Sequence, residues 1–274
     1  MTFLLLLGFT TFIQKTSHAE NIGANANGNI DYNQLYHEAI SAGAIDPQKI
    51  TYDQWVKENE EEFMPVYQKG LDQHVFEIPL SYNEWIKLNH YGQPPADVDN
   101  NYFSTITPDA VVGGFTIKAG DIFITNATSS AGILGHAAIA NGDYHILDMP
   151  GAPAGNRQSL TADWINEYSD SGTWIKVYRL KDQTIAQQVA KYADTHYYST
   201  KGTATQDIFL TYGLTIHLYQ FNPTYCSKLV FDALWFGSGS APVMKPVSGY
   251  VMPFDLLSTF TSAYFPTLVK TYIN

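Results

Sequence analysis

Tyr225-Cys226-Ser227-Lys228-Leu229-Val230-Phe231 carries the only cysteine of the 274-residue chain and reads as the first turn of an apolar helix. Asn222-Pro223-Thr224 ahead of it is a turn followed by an N-cap candidate, which puts Cys226 in the first helical turn. Free N–H groups and the helix dipole favour negative charge at that position, so they favour a thiolate. The same N–H groups can hold an oxyanion. An unpaired thiol is usually an inert core residue, so a nucleophile needs a base within reach to be credible.

Gly135-His136-Ala137-Ala138-Ile139 supplies the candidate base, a histidine in an apolar strand whose small neighbours let a helix pack close. A third group should accept the other ring proton. His145 and Asp148 both lie on the next strand, beyond the hairpin signal Asn141-Gly142. A two-residue loop sets His136 opposite Leu147, with His145 nearby. A three-residue loop sets it opposite Asp148, so one residue of slip exchanges the candidates. Tyr225, Ser227 and Asp121 are possible neighbours of the site. A metal site at His136, His145 and Asp148 is the weaker reading. The chain has no HExxH, no zinc-spaced cysteine pair, no GxSxG and no phosphate loop, so no metal or cofactor is expected.

Outward from these residues, strands are expected from about Val111. They include Phe115–Ile117, Ile122–Thr125 after the turn Lys118–Asp121, His136–Ala140, Tyr144–Leu147 and Thr173–Leu180. Helices are expected over Thr161–Tyr168, Thr184–His196 and Thr224–Phe236, with a proline-led start at Pro253. Strands mixed with helices and lacking a βαβ rhythm indicate an α+β fold.

The first third reads differently. Ile30-Asp31-Tyr32-Asn33-Gln34-Leu35, Ile50-Thr51-Tyr52-Asp53-Gln54-Trp55 and Leu80-Ser81-Tyr82-Asn83-Glu84-Trp85 repeat one pattern: apolar, capping residue, Tyr, amide or acid, Gln or Glu, large apolar. That is a capping box inside a hydrophobic staple, so helices start near Asp31, Thr51 and Ser81. Their aromatics either pack inward or bind a partner.

Phe3 to Phe12 is a short apolar run followed by Ser17-His18-Ala19, a small-x-small pattern. It resembles a signal peptide over 1–19 and is too short to span a membrane. A polar linker over 20–29, a helical region over 30–97 and a catalytic domain over 98–274 follow. The protein is expected to be secreted or held at the cell envelope. Cleavage after Ala19 moves the net charge from −11 to −12. Such acidity argues against nucleic acid as a partner. The run Glu58, Glu60, Glu61, Glu62 reads as a solvated helix face. Oligomeric state is not legible.

The chain resembles the NlpC-type papain-like cysteine hydrolases, in particular their circularly permuted, YiiX-like branch. The residues that carry the resemblance are Lys118-Ala119-Gly120-Asp121-Ile122-Phe123, Gly135–Ile139, Ile146-Leu147-Asp148-Met149-Pro150-Gly151, Tyr225–Val230 and Pro253-Phe254-Asp255-Leu256. The branch runs in the order histidine, third residue, cysteine. Its third residue is typically a Glu twelve positions after the histidine; Asp148 stands at that offset and is favoured over His145. Tyr225 replaces the Asp that often precedes the cysteine in unpermuted members. The resemblance implies a papain-like core, an antiparallel sheet carrying the histidine and packed on the cysteine helix. It also implies acyl chemistry through a thioester. The expected activity is hydrolysis of an amide, with a cell-wall peptide as the leading substrate. Acyl transfer or lipid-directed hydrolysis on the same residues is the alternative, and a catalytically silent surface-binding module is the third reading.

Overall fold

The computed structural model describes residues 30–94, 104–105, 115–142 and 144–273. The apolar segment 3–12, the cleavage pattern at 17–19 and the linker 20–29 lie outside the described residues, as do Val111 to Gly114. Residues 31–274 form one compact unit.

Local capping chemistry sets the helices of the first third. Asp31 accepts from Gln34 N at 2.9 Å and opens α1, Tyr32–Ser41. Thr51 with Gln54, and Ser81 with Glu84, form complete capping boxes at the starts of α2, Tyr52–Glu58, and α4, Tyr82–Leu88. Between them a π-helical turn, Asn59–Phe63, leads into α3, Met64–Asp72. The staple aromatics turn inward: Trp55 and Trp85 are fully buried. Trp55 Nε1 donates to Tyr91 O at 2.9 Å and Trp85 Nε1 to Gly132 O at 2.7 Å. The second bond, together with Leu134 N donating to Asn89 Oδ1 at 2.9 Å, ties α4 to the loop that leads into His136. Trp55, Tyr82 and Trp85 are core pins, whereas Tyr52 of the same pattern is exposed.

The rest is a seven-stranded sheet in the order β1-β7-β6-β2-β3-β4-β5. Its strands are β1 Ser104–Thr105, β2 Ile122–Thr125, β3 His136–Gly142, β4 His145–Asp148, β5 Arg157–Leu160, β6 Trp174–Arg179 and β7 Thr267–Ile273. All neighbours pair antiparallel except β1, which runs parallel to β7. Phe123, Ala138, Ala140, Ile146, Ile175 and Val177 face one side and bury Trp164, Ile165 and Tyr168 from the α5 segment, Thr161–Glu167 and its C-cap. Strand alternation sends Ala137 and Ile139 to the other side. There α6, Gln183–Tyr197, and α7, Cys226–Gly237, pack across β3 and against each other. This is the α+β arrangement expected from the chain.

Four local expectations fail. Phe115–Ile117 is irregular chain, not strand. The segment after Pro253 makes only a 3₁₀ turn, Leu256–Thr259. The N-cap of α7 is Tyr225, one residue after the expected Thr224, and no side chain caps it. Neither hairpin register holds, because Ala140 pairs with Ile146 and Ala138 with Asp148. Asn141-Gly142 is not the loop: β3 runs through Gly142, which pairs with His145 across a bulge, and the turn follows at Tyr144 with φ 63°. The permissive backbone of Gly142 is spent on the bulge, not on a tight turn.

Candidate active site

His136 is the first residue of β3 and is held there by its neighbour. Gly135 has φ +70°, and a Cβ on it would sit 2.5 Å from the Phe254 ring and 2.7 Å from Thr125 O. Only glycine fits that approach. His136, Asp148 and Cys226 are all fully buried.

The imidazole binds on both sides. His136 Nε2 donates to Asp148 Oδ2 at 2.9 Å. The Cys226 side chain lies close enough for its charge to act on the ring. Nδ1, the nitrogen that Asp148 leaves free, lies 3.4 Å from Ser129 Oγ. Asp148 does not sit opposite His136 but diagonally, two residues along on the same face, near enough for a histidine and an aspartate to meet. A carboxylate this close needs no longer side chain, which accounts for Asp in place of the Glu of the resembling family.

Asp148 is surrounded by donors. Trp164 Nε1 donates to Oδ2 at 2.9 Å, Arg157 Nε to Oδ1 at 3.0 Å, and Tyr168 OH to Oδ2 at 3.4 Å. Burial alone would raise its pKa, but the bonds and charges of His136 and Arg157 hold it below the ordinary carboxylate value. Burial likewise disfavours a charged His136. The charge of a Cys226 thiolate, together with Asp148, outweighs this and raises the imidazole to about 9. Tyr168 stacks on the ring at 4.9 Å and 12°, and Trp164 at 6.1 Å and 26°. The arrangement therefore holds the imidazole charged at neutral pH, beside the cysteine.

Cys226 is the first residue of α7, and the first backbone bond back to the cap is Leu229 N to Tyr225 O at 2.9 Å. That leaves the amides of the first turn as free donors beside the sulfur. Tyr225 anchors the helix start, its buried hydroxyl accepting from Val251 N at 3.1 Å. Ser227 is buried, and its hydroxyl has no hydrogen-bond partner among the described residues.

The other expected residues lie elsewhere. His145 is three residues along β4 and pairs with Leu160 and Gly142 at the hairpin end of the strand. Asp121 is not a site neighbour. It precedes Ile122, whose end of β2 is opposite to Thr125, the residue that pairs with His136. Arg179 clamps it with Nε at 2.7 Å and a terminal nitrogen at 2.6 Å, and Lys118 N donates to it at 2.8 Å. It locks a turn. Sequence reasoning missed Arg157, Trp164, Tyr168 and Tyr212. The buried Tyr212 hydroxyl donates to Ala131 O at 2.6 Å; its pKa is raised first by burial and then by the Cys226 charge. Trp164 and Tyr168 stand four apart on a helix expected from sequence, and that spacing was the available signal.

A cleft of about 570 Å³ opens beside Gly135, lined by Glu58, Glu62, Thr128, Asp170, Trp174 and Phe254, among others. No group of metal-ligating side chains occurs among the described residues. No described helix is long and apolar enough to cross a membrane.

These features define an α+β protein in which a buried cysteine at a helix start meets a histidine and an aspartate on adjacent strands. The chain belongs to the family described as lipoprotein N-acylation protein, LnsA-like, whose model matches residues 93–272, and hence to a family of enzymes concerned with acyl groups. It is 60% identical over 243 residues to a Bacillus thuringiensis protein described as an uncharacterized 30.3 kDa protein, covering 89% of this chain and 90% of that one. No solved structure matches.

Proposed function

We propose that the protein is a cysteine acyltransferase that works through a thioester on Cys226 and passes the acyl group to an amine. The carrying observation is the buried His136, bonded to Asp148 at 2.9 Å and close enough to Cys226 for its charge to act on the ring. The Cys226 thiolate attacks the carbonyl carbon of an acyl ester, forming C–S and breaking C–O. The first-turn amides of α7 stabilise the oxyanion, and the His136 imidazolium gives its proton to the leaving alkoxide. A neutral amine then attacks the thioester, forming C–N and breaking C–S. Its proton passes to His136, and the thiolate–imidazolium pair returns.

The family description favours an amine acceptor on a lipoprotein over water, and a lipid ester suits the donor. Full burial of the three residues agrees with a site that keeps water away from the thioester. The cleft beside Gly135 is a candidate acceptor entrance, because Glu58, Glu62 and Asp170 on its wall match a cationic amine. Burial and then the charge of Glu62 raise the Glu58 pKa. Cell-wall peptide hydrolysis, the leading expectation from sequence, would use the same thioester with water as acceptor. The family match draws the reading toward transfer. The order His136, Asp148, Cys226 is that of a permuted papain-like core. Secretion through a signal peptide over 1–19, with a catalytic domain over 98–274, fits an envelope substrate.

The test supplies a soluble acyl ester and a primary amine and separates the products. Amide formed by the wild type and lost in Cys226→Ala supports transfer. Free acid alone, at any amine concentration, would return the protein to the hydrolases.

A further inference from the structure

Two loops border the candidate site, and both are free of formal charge. Residues 149–156 follow Asp148, and residues 208–225 lead into Cys226. Together they contain no Asp, Glu, Lys or Arg in 26 positions, where the chain's 15% charged content would place about four. They are tied to the site and to each other. Ser130 Oγ donates to Pro150 O at 2.8 Å, Tyr212 OH to Ala131 O at 2.6 Å, and Leu210 N to Asn156 Oδ1 at 2.8 Å.

On this rim the chain displays apolar side chains. Phe209 is 76% exposed and Phe221 40% exposed. Ala152, Pro153 and Ala154 are exposed beside Leu210, whose carbonyl lies 3.2 Å from the position a Cβ on Gly155 would take. Phe209 is not loose chain. Buried Asn156 grips the backbone on both sides of it, donating to Ile208 O at 3.0 Å and accepting from Leu210 N. The same amide donates to Tyr197 O, and Phe221 packs on the Tyr197 ring at 4.8 Å. Gln206 adds a bond to Ile208 O at 3.0 Å. Asp207, two residues before Phe209, is turned back on Thr200, accepting from its N at 2.7 Å and its hydroxyl at 2.6 Å. A buried polar side chain thus holds an aromatic ring out in water, which gains nothing for folding.

We propose that this rim is a lipid-docking surface, and that Phe209 and Phe221 enter the interface of a bilayer to bring the Cys226 site against a lipid-anchored substrate. The idea rests on the acyl-transfer reading for its substrate. The charge pattern selects the bilayer. With no Lys or Arg in either loop, their one histidine, His217, set against Glu77 at 3.3 Å, and a net charge of −11, the protein suits an electrically neutral surface and is repelled by an anionic one. Docking of this kind follows apolar burial and resists salt.

The test uses the chain from Glu20 onward, which holds the whole compact unit 31–274 and lacks the apolar segment 3–12. Flotation with phosphatidylcholine vesicles measures partitioning. The wild type is expected to float, to keep floating in high salt, and to float less as phosphatidylglycerol is added. The double variant Phe209→Ser, Phe221→Ser is expected to lose at least about tenfold in partitioning, and Phe209→Ser alone, the more exposed ring, to lose part of that with its thermal midpoint unchanged. Phe265→Ser, which removes an exposed ring (53%) outside both loops, should float as the wild type does. Absence of flotation, flotation equal in the double variant, or a rim that instead holds two copies of the chain together would each overturn the proposal. Turnover of a soluble ester, present in the wild type and lost in Cys226→Ala, reports separately on the acyl-transfer reading, so failure of one is not failure of the other.

Discussion

Replacing Asp148 by Asn strikes the site where most of its bonds meet. The carboxylate accepts from His136, Trp164, Arg157 and Tyr168. An amide keeps the volume but has one acceptor oxygen and brings an NH₂ donor. Whichever way it turns, the NH₂ faces either Arg157 Nε or the His136 and Trp164 N–H groups. Leaving such buried donors unmatched costs about 1–3 kcal/mol of stability. The catalytic loss is larger. Without the carboxylate, nothing fixes the neutral ring's proton on Nε2, and the ring can take the wrong tautomer. The analogous change in a serine–histidine–aspartate triad costs about 10⁴ in rate. A loss of about 10²–10⁴ is expected here, or about 3–5 kcal/mol of barrier. The assay is pre-steady-state acylation by a soluble chromogenic ester, followed across pH. His136 is raised to about 9 from an ordinary 6.5. The stabilisation it supplies is therefore complete below about 6.5 and is lost as pH rises through about 9. Wild-type acylation should fall off near pH 9 as the imidazolium is lost, and the Asn variant should fall off at lower pH. An Asn variant within tenfold of wild type with an unmoved limb, or an equal loss in His145→Gln, would refute the reasoning.

Three further outcomes follow from the packing. Asp232→Ala should cost about 3–5 kcal/mol in urea unfolding, because it strands buried Lys228, which donates to Asp232 Oδ2 at 3.0 Å; the double change Lys228→Met, Asp232→Leu should recover most of it. Gly135→Ala should lower both stability and acylation, since φ +70° and the 2.5 Å approach to Phe254 leave no room for a Cβ and His136 is the next residue. Trp85→Ala should cost about 3–5 kcal/mol, and removal of residues 1–96 should yield an aggregating fragment. The Trp85 bond to Gly132 and the Asn89 bond to Leu134 make the first third part of the catalytic core, and a soluble fragment would contradict that.

What could be read from sequence was what local chemistry decides. Asp31, Thr51 and Ser81 start helices because their side chains reach an amide three residues on, a contact made within one turn. Cys226 and His136 stood out by residue type and context. The hairpin did not: Asn141-Gly142 carries a strong turn signal, yet the turn slid past it into a bulge, and only the sheet as a whole sets that register. Asp148 was found by its offset from His136, not by its pairing. Arg157 and Trp164 were invisible as site residues because they reach Asp148 from a strand and a helix that meet it only in the folded chain. Asp121 was misread for the converse reason: a strand of four residues carries it away from the site, to a partner 58 residues later.

The central claim is that Cys226 carries the acyl group. Intact-mass measurement after brief exposure to an acyl ester tests it most directly. The wild type should gain the mass of one acyl group, mapped to the peptide bearing Cys226, and lose it on addition of a primary amine. No adduct, or an adduct that persists in Cys226→Ala, would contradict the account.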